Sequence, residues 1–171
     1  KRVFCRCSLF HQLILVLEKR IFETGECKKI IAISEMVKKD ILKHYRVPEE
    51  RVMVVYNGVD LDRFNPSHRK FSRNELRQQL RISDEEVMIL FVGSGFERKG
   101  LEYLIKSVQY LKQKKWKLVL VGKGKWKKYL NFASEENREK ITHLEPIDEI
   151  EKLYAAADIF ILPSIYEPFG N

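Results

Sequence analysis

Cysteine is scarce in this 171-residue sequence, which contains only Cys5, Cys7 and Cys27. An odd number of cysteines without a regular framework is typical of reduced thiols in a cytosolic protein. Cys5-x-Cys7 could supply two metal ligands, but a structural zinc site needs about four. The four histidines are scattered singly and show no ligand spacing. The sequence therefore predicts neither a disulfide scaffold nor a metal site.

Long hydrophobic runs are also lacking. The run from Leu13 to Leu17 is closed by Glu18-Lys19-Arg20, and that from Val87 to Val92 has six residues, whereas a membrane span needs ~20 apolar residues. The first residue is lysine, and nothing near it resembles a signal peptide. With 44% hydrophobic and 33% charged residues, the composition is globular and excludes collagen, a coiled-coil rod or a disordered tail. We expect a soluble, cytoplasmic protein.

Acidic residues are outnumbered by basic ones, 24 against 32, so the net charge is +8. A basic balance favours nucleic acid, phosphorylated metabolites or an acidic membrane surface as partners, without choosing among them. Lysines interleaved with Trp116 and Trp126 could bind single-stranded nucleic acid. We favour a solvated surface, because the apolar run 118–121 divides the cluster into two patches. The lysines are Lys112, Lys114, Lys115, Lys117, Lys123, Lys125, Lys127 and Lys128.

Short apolar runs alternate with helical patterns through the second half of the chain. The runs at 87–92 and 118–121 predict strands buried on both faces, and the segments at 141–144 and 159–162 predict a third and a fourth strand. Between them, the apolar stripe from Leu101 to Leu111 predicts a helix. This alternation is typical of βαβ units that form a parallel sheet with right-handed crossovers.

Helix caps and turns organise the remaining segments. Ser34 should cap a helix that follows a strand at 30–33, and a capping box at Ser72-x-x-Glu75 should open a helix ending at Leu80. Asp148 should cap a helix to about Ala157. An amphipathic helix from Phe10 to Ile21, a helical segment near 129–132 and a strand at 51–56 complete the pattern. The last strand has no covering helix after it, so we expect the chain to be a fragment.

The loop from Gly93 to Gly100 follows a buried strand and precedes a helix. Its glycines let backbone N–H groups approach an anion at the carboxyl edge of the sheet, where ligands of such sheets bind. Arg98 and Lys99 add full charges, which would be unfavourable at a helix N-terminus without an anion. The loop matches neither a dinucleotide fingerprint nor a P-loop. A diphosphate is the expected ligand; a solvated turn is the alternative.

Glu167-Pro168-Phe169-Gly170 follows the last predicted strand. A carboxylate at this edge can accept hydrogen bonds from sugar hydroxyls, and a glycine permits close backbone approach. By itself, a single loop glutamate is more often solvated.

Together these motifs resemble the GT-B retaining glycosyltransferases of the large glycosyl transferase group 1 family. Within that family, the loop Gly93 to Gly100 and Glu18-x-x-x-Phe22-Glu23-x-Gly25 look closest to lipopolysaccharide core glucosyltransferases. The segments that carry the family resemblance are Ile31 to Glu35, Val55 to Asp60 with Phe64, Phe91 to Gly100, Leu120 to Gly124, Leu153 to Ser164 and Glu167 to Gly170.

The resemblance implies an α/β chain of GT-B type. Residues 1–56 would end the acceptor domain, 57–71 would link the domains, and 72–171 would form part of a Rossmann-like nucleotide-sugar donor domain. Arg98, Lys99 and Glu167 would be catalytic: the cations would clamp the diphosphate, and Glu167 would bind the donor sugar. The remaining donor-binding residues would be Gly93, Ser94, Gly95, Phe96, Gly122, Ile147, Phe169 and Gly170.

The implied reaction transfers a hexosyl group, glucose from UDP-glucose, to a saccharide or lipid-linked acceptor, without a metal or another cofactor. The resemblance also implies a role in lipopolysaccharide synthesis and peripheral contact with the membrane surface. It implies no nucleic-acid partner. Pro146 departs from the family's usual glycine and puts the choice of base in doubt, since proline removes an N–H. A sugar-nucleotide epimerase is the alternative enzyme, and a basic nucleic-acid-binding module is the non-enzyme alternative.

Overall fold

The computed structural model describes residues 9–111 and 115–168. The chain divides into two compact units, the first containing the residues up to Val59 and the second spanning Asp60–Glu167. The first unit contains helices α1 (Leu9–Glu23) and α2 (Glu35–His44), a 3₁₀ turn (Glu49–Arg51), and strands β1 (Ile30–Ala32) and β2 (Val52–Val54). The strands are parallel, with Ile30 opposite Val52.

The core of the first unit lies between its two-stranded sheet and α2. Ile30, Ala32, Ile41 and Val52 are its buried residues. The Oγ atom of Ser34 accepts a hydrogen bond from the N–H of Val37 at 3.2 Å, which confirms the predicted cap. Both strands form within the predicted segments, although each is shorter.

Helix α1 confirms the predicted helix, but the described part of the chain leaves most of its apolar stripe exposed. Leu13 is 56% exposed and Ile21 is 53% exposed. Its Phe22 ring packs against Tyr45, with the ring centroids 4.7 Å apart.

The second unit is built on a parallel sheet of strand order β5-β4-β3-β6. The strands are β3 (Val87–Val92), β4 (Trp116–Val121), β5 (Ile141–Leu144) and β6 (Ile159–Phe160). Strand β3 pairs with β4 in register, Val87 opposite Trp116, and with β6, Ile89 opposite Ile159. The parallel sheet and its strand positions confirm the fold predicted from the apolar runs.

Helices cover both faces of this sheet. On one face, Ile89 and Phe91 pack with helix α4 (Leu101–Val108) and with the 3₁₀ segment Trp126–Phe132, which replaces the helix predicted near 129–132. On the other, Met88 and Leu90 pack with α6 (Ile150–Ala156), and Leu76 of α3 (His68–Gln79) joins the same core. Successive residues of β3 lie on opposite faces of the sheet. Because both faces are buried, the strand is a continuous apolar run. A short helix, α5 (Glu135–Arg138), precedes β5.

Two predicted helix starts are wrong. Helix α3 begins at His68, so the predicted capping residue Ser72 lies inside it and the predicted linker ends within its first turn. An Asn65 side-chain oxygen accepts the N–H of Ser67 at 2.9 Å and turns the chain into the helix earlier. Helix α6 begins at Ile150 after Glu149. Asp148 does not cap it, and its carbonyl instead accepts a hydrogen bond from Arg63.

Candidate active site

Loops that follow β3 and β4 touch at the carboxyl edge of the sheet. A Cβ atom at Gly122 would lie 2.3 Å from the carbonyl oxygen of Gly93, so only glycine allows this approach. The N–H of Lys123 donates to the Oγ atom of Ser94 at 3.1 Å. The loops after β3 and β4, which were both predicted to bind the donor, are thus held together by Gly93, Ser94 and Gly122.

The segment after β6 packs against the start of helix α4. Gly100 precedes the helix with a φ of +74°, and a Cβ atom there would lie 1.9 Å from the carbonyl oxygen of Pro163. The N–H of Ile165 donates to the carbonyl of Arg98 at 3.0 Å. This packing brings the Arg98-Lys99 pair next to the predicted sugar-binding Glu167, although 68 residues separate Lys99 from it.

The three residues predicted to be catalytic form one cluster, which we call the clamp: Arg98, Lys99 and Glu167. The ammonium of Lys99 hydrogen-bonds the Oε2 atom of Glu167, and Arg98 Nη1 lies 3.5 Å from the same oxygen. Ser164 Oγ donates to it as well, at 2.9 Å. Each of these contacts uses Oε2.

Electrostatics within the clamp favour the charged form of Glu167. The hydrogen bond from Lys99 lowers the pKa of the Glu167 carboxyl below its usual value, against the opposing effect of burial and with help from Ser164 and Arg98. The Lys99 side chain is only 14% exposed, whereas that of Arg98 is 52% exposed. Two cations and one carboxylate carry a net charge of about +1, which suits an anionic ligand that also presents hydroxyls.

A cavity of about 610 Å³ lies beside the clamp. We call it the lysine cavity, because Lys123, Lys125 and Lys128 line it together with Arg98. The sequence interpretation had treated these lysines as a solvated surface. The signal that could have located them is Gly122-x-Gly124, which follows a buried strand as the Gly93 loop does and must reach the same edge of the sheet.

Comparison with known proteins identifies the family. The family model described as "Glycosyl transferases group 1" matches residues 72–171, and the model described as "Glycosyltransferase Family 4" matches residues 4–63. The chain belongs to the group 1 glycosyl transferases. This confirms the resemblance drawn from the motifs.

Two curated relatives of this group 1 chain are named as glycosyltransferases. It is 34% identical over 152 residues to "Uncharacterized glycosyltransferase MJ1607" of Methanocaldococcus jannaschii, covering 86% of this chain and 39% of that protein. It is 28% identical over 157 residues to "Lipopolysaccharide glucosyltransferase WaaG" of Escherichia coli, covering 90% and 42%. The chain thus spans about two fifths of the length of these curated relatives.

A solved structure shares the fold of the group 1 chain. The crystal structure of WaaG, a glycosyltransferase involved in lipopolysaccharide biosynthesis, superposes with a TM-score of 0.82 at 26% identity. The match covers 95% of this chain and 45% of that one. The predicted GT-B fold is therefore confirmed.

The structure does not bring every predicted donor-binding residue of the group 1 chain to the clamp. Phe96 is 4% exposed and packs in the core below the loop, and it also lines the lysine cavity. Ile147 is 39% exposed and lines a different cavity, next to Glu75 and Gln79. Gly95 lies on the wall of the lysine cavity. Phe169 and Gly170 lie outside the described residues.

Neither a metal cluster nor a membrane-spanning helix is found in residues 9–111 and 115–168. No group of three or more His, Cys, Asp or Glu residues there could hold a metal ion. No helix in the same ranges is long and apolar enough to cross a membrane. Cys5 and Cys7 fall outside these ranges.

Proposed function

We propose that the complete protein transfers a hexosyl group, glucose from UDP-glucose, to a saccharide acceptor with retention of anomeric configuration. The observation that carries the proposal is the clamp. It places two cations and a carboxylate at the carboxyl edge of a parallel sheet, where phosphorylated ligands bind in such folds. Similarity to a lipopolysaccharide glucosyltransferase supports glucose as the sugar and the lipopolysaccharide core as the acceptor class.

The clamp residues would act on the leaving group. As the bond between the anomeric carbon and the diphosphate oxygen breaks, negative charge builds up on the diphosphate. Arg98 and Lys99 would stabilise that charge, and such electrostatic stabilisation is often the largest single contribution to catalysis. The acceptor hydroxyl attacks the anomeric carbon from the same face, and its proton passes to the departing diphosphate. With two cations in this role, the proposal includes no metal and no other cofactor.

Glu167 would hold the donor sugar. Its Oε2 atom is already held by Lys99 and Ser164, so the carboxylate has a fixed orientation. Oε1 can then accept a hydroxyl hydrogen bond, which positions the sugar against the phosphates. Positioning of this kind lowers the barrier because the reacting groups are already aligned.

The test replaces both clamp cations. Arg98→Ala with Lys99→Ala should lower kcat for glucosyl transfer by about 10²–10³-fold or more, because removal of one charge-stabilising donor already costs about that much. The assay is release of UDP from UDP-glucose by the complete protein in the presence of a saccharide acceptor.

Lys70→Ala with Lys127→Ala is the matched control. Both are exposed lysines, and neither belongs to the clamp or lines the lysine cavity. This pair should retain turnover within about twofold, since exposed substitutions away from special features have small effects. Turnover by the clamp variant equal to that of the control, with both variants folded by circular dichroism, would refute the clamp's role.

The proposed location is the cytoplasm, with peripheral contact at the membrane surface. The net charge of +8 would favour contact with an acidic surface.

A further inference from the structure

The lysine cavity has a strongly cationic lining. Arg98, Lys123, Lys125 and Lys128 are among its lining residues. Glu97 is the acidic residue among the lining. The three lysines come from the loop after β4 and the 3₁₀ segment that follows, whereas Arg98 comes from the loop after β3. Two separate loops therefore bring cations to the same space.

These lysines are not used in the ion pairs that hold the described part of the chain together. None of the ion pairs formed among residues 9–111 and 115–168 includes Lys123, Lys125 or Lys128. The ammonium of Lys128 instead lies 4.8 Å from the centre of the Tyr129 ring. Cations gathered around one concave space repel each other, and a bound anion would remove that repulsion.

The cavity is distinct from the place proposed for the donor diphosphate. Lys99 and Glu167, two members of the clamp, do not line it. The stem of Lys99 runs over Gly93, where a Cβ atom would meet it at 3.4 Å, whereas the cavity opens beside Gly95 and Gly124. Arg98 is common to both places, and Gly95 and Phe96, which were predicted to bind the donor, also line the cavity. A ligand in the cavity would therefore lie next to the reacting donor.

We infer that the lysine cavity is an acceptor subsite for an anionic group, a phosphate or carboxylate carried by the acceptor saccharide. The inference rests on the proposed transferase function, because it assigns the diphosphate to the clamp and the neighbouring anion to the acceptor. Exposed Ile165 and Tyr166 also line the cavity. They offer an apolar surface for a sugar ring, while the lysines provide charge-assisted hydrogen bonds to the anion.

The test measures binding of two anionic sugars to the complete protein with its donor site filled by saturating UDP. The probes are glucose 6-phosphate and glucuronate, with neutral glucose as reference, followed by ligand-observed NMR titration. The wild-type protein should bind at least one anionic probe more tightly than glucose. Lys123→Gln, Lys125→Gln and Lys128→Gln together should weaken that binding by about 10-fold or more, with the affinity for UDP changed less than twofold.

A control variant carries the same change of net charge. Lys39→Gln, Lys70→Gln and Lys127→Gln replace exposed lysines that do not line the cavity, so anionic-sugar binding should be unchanged. Loss of binding in both triple variants would show general charge attraction and would overturn the subsite.

The outcomes separate this inference from the proposed function. If the wild-type protein binds UDP but neither anionic sugar, or if the cavity variant binds them normally, the subsite is refuted and the transferase proposal stands. If UDP displaces the anionic sugars, or if the cavity variant loses UDP, the cavity belongs to the donor and the inference is overturned. If the wild-type protein binds neither UDP nor UDP-glucose, the proposed function itself fails.

Discussion

At the scale of single residues, two glycines of the loop from Gly93 to Gly100 differ in how much space surrounds them. Gly95 and Gly100 both have positive φ values, +72° and +74°. A Cβ atom at Gly95 would meet nothing within 4 Å, whereas one at Gly100 would collide with the Pro163 carbonyl. Substitutions at the two positions can therefore distinguish the effect of backbone strain from that of a steric clash.

Gly100→Ala should destabilise the second unit more than Gly95→Ala. Both substitutions incur about 1–2 kcal/mol for a left-handed residue. Gly100→Ala should add about 1–3 kcal/mol because the chain must move away from Pro163. Urea unfolding of the two variants measures the difference, and equal free energies of unfolding would contradict the packing between the start of α4 and the segment after β6.

The clamp shows how much of the site could be predicted from the sequence. Arg98 and Lys99 were assigned to an anion because their loop follows a buried strand, whereas Glu167 joined them only through the family resemblance; the structure places the three in contact. Their catalytic roles stay predictions. Phe96 was assigned to the donor because it lies within the loop, and its burial could not be recognised without knowing which core it enters.

At the scale of elements, one carboxylate joins helix α3 to the sheet. Asp158 accepts hydrogen bonds from Arg73 at 2.6 Å, Arg77 at 2.9 Å and the N–H of Met88 at 2.8 Å. Arg77 is 1% exposed and also donates to the carbonyls of Ser83 and Glu86. Partial burial acts to raise the pKa of Asp158, but these hydrogen bonds outweigh it, so the pKa lies below its usual value.

Asp158→Asn should cost about 3–5 kcal/mol of unfolding free energy at pH 7, because it leaves the buried guanidinium of Arg77 without its anion. A depressed pKa in the folded state stabilises the protein above the unfolded value, about 3.9, and this stabilisation is lost as the pH falls through the folded value. The difference between the wild-type and variant proteins should therefore shrink in acid. Denaturant unfolding at pH 7 and pH 3 measures both effects.

Asp84→Asn, at an exposed position, is the control for Asp158→Asn and should change stability by about 0.5 kcal/mol or less. A loss that is equally small for Asp158→Asn would show that the arginines of α3 are held by other groups.

The same contacts explain why the start of α3 could not be predicted. Ser72-x-x-Glu75 has the spacing of a capping box, but Arg69 and Arg73 of α3 donate hydrogen bonds to the carbonyls of Ala157 and Ala156. These partners lie far along the chain, and local sequence patterns carry no information about them. Strands β3 and β4 were predictable because burial on both faces produces continuous apolar runs.

At the scale of the whole molecule, the sequence predicted the fold better than the surface. Alternating strands and helices were enough to predict the parallel sheet, and ordered motifs were enough to recognise the family. The lysine cavity was not predicted, because its lining comes from three separate parts of the chain, the segments that follow β3, β4 and β6. Of the basic cluster, Lys123, Lys125 and Lys128 line this cavity, whereas Lys115 and Lys117 lie at the start of β4.

The most direct test of the proposed function is the anomeric configuration of the product. The complete protein would be incubated with UDP-glucose and a saccharide acceptor, and the new glycosidic bond followed by NMR. An α-linked product, formed with an equal amount of UDP and lost in the Arg98→Ala, Lys99→Ala variant, is the predicted result. A β-linked product, or conversion of UDP-glucose to another UDP-sugar without an acceptor, would contradict retaining glucosyl transfer.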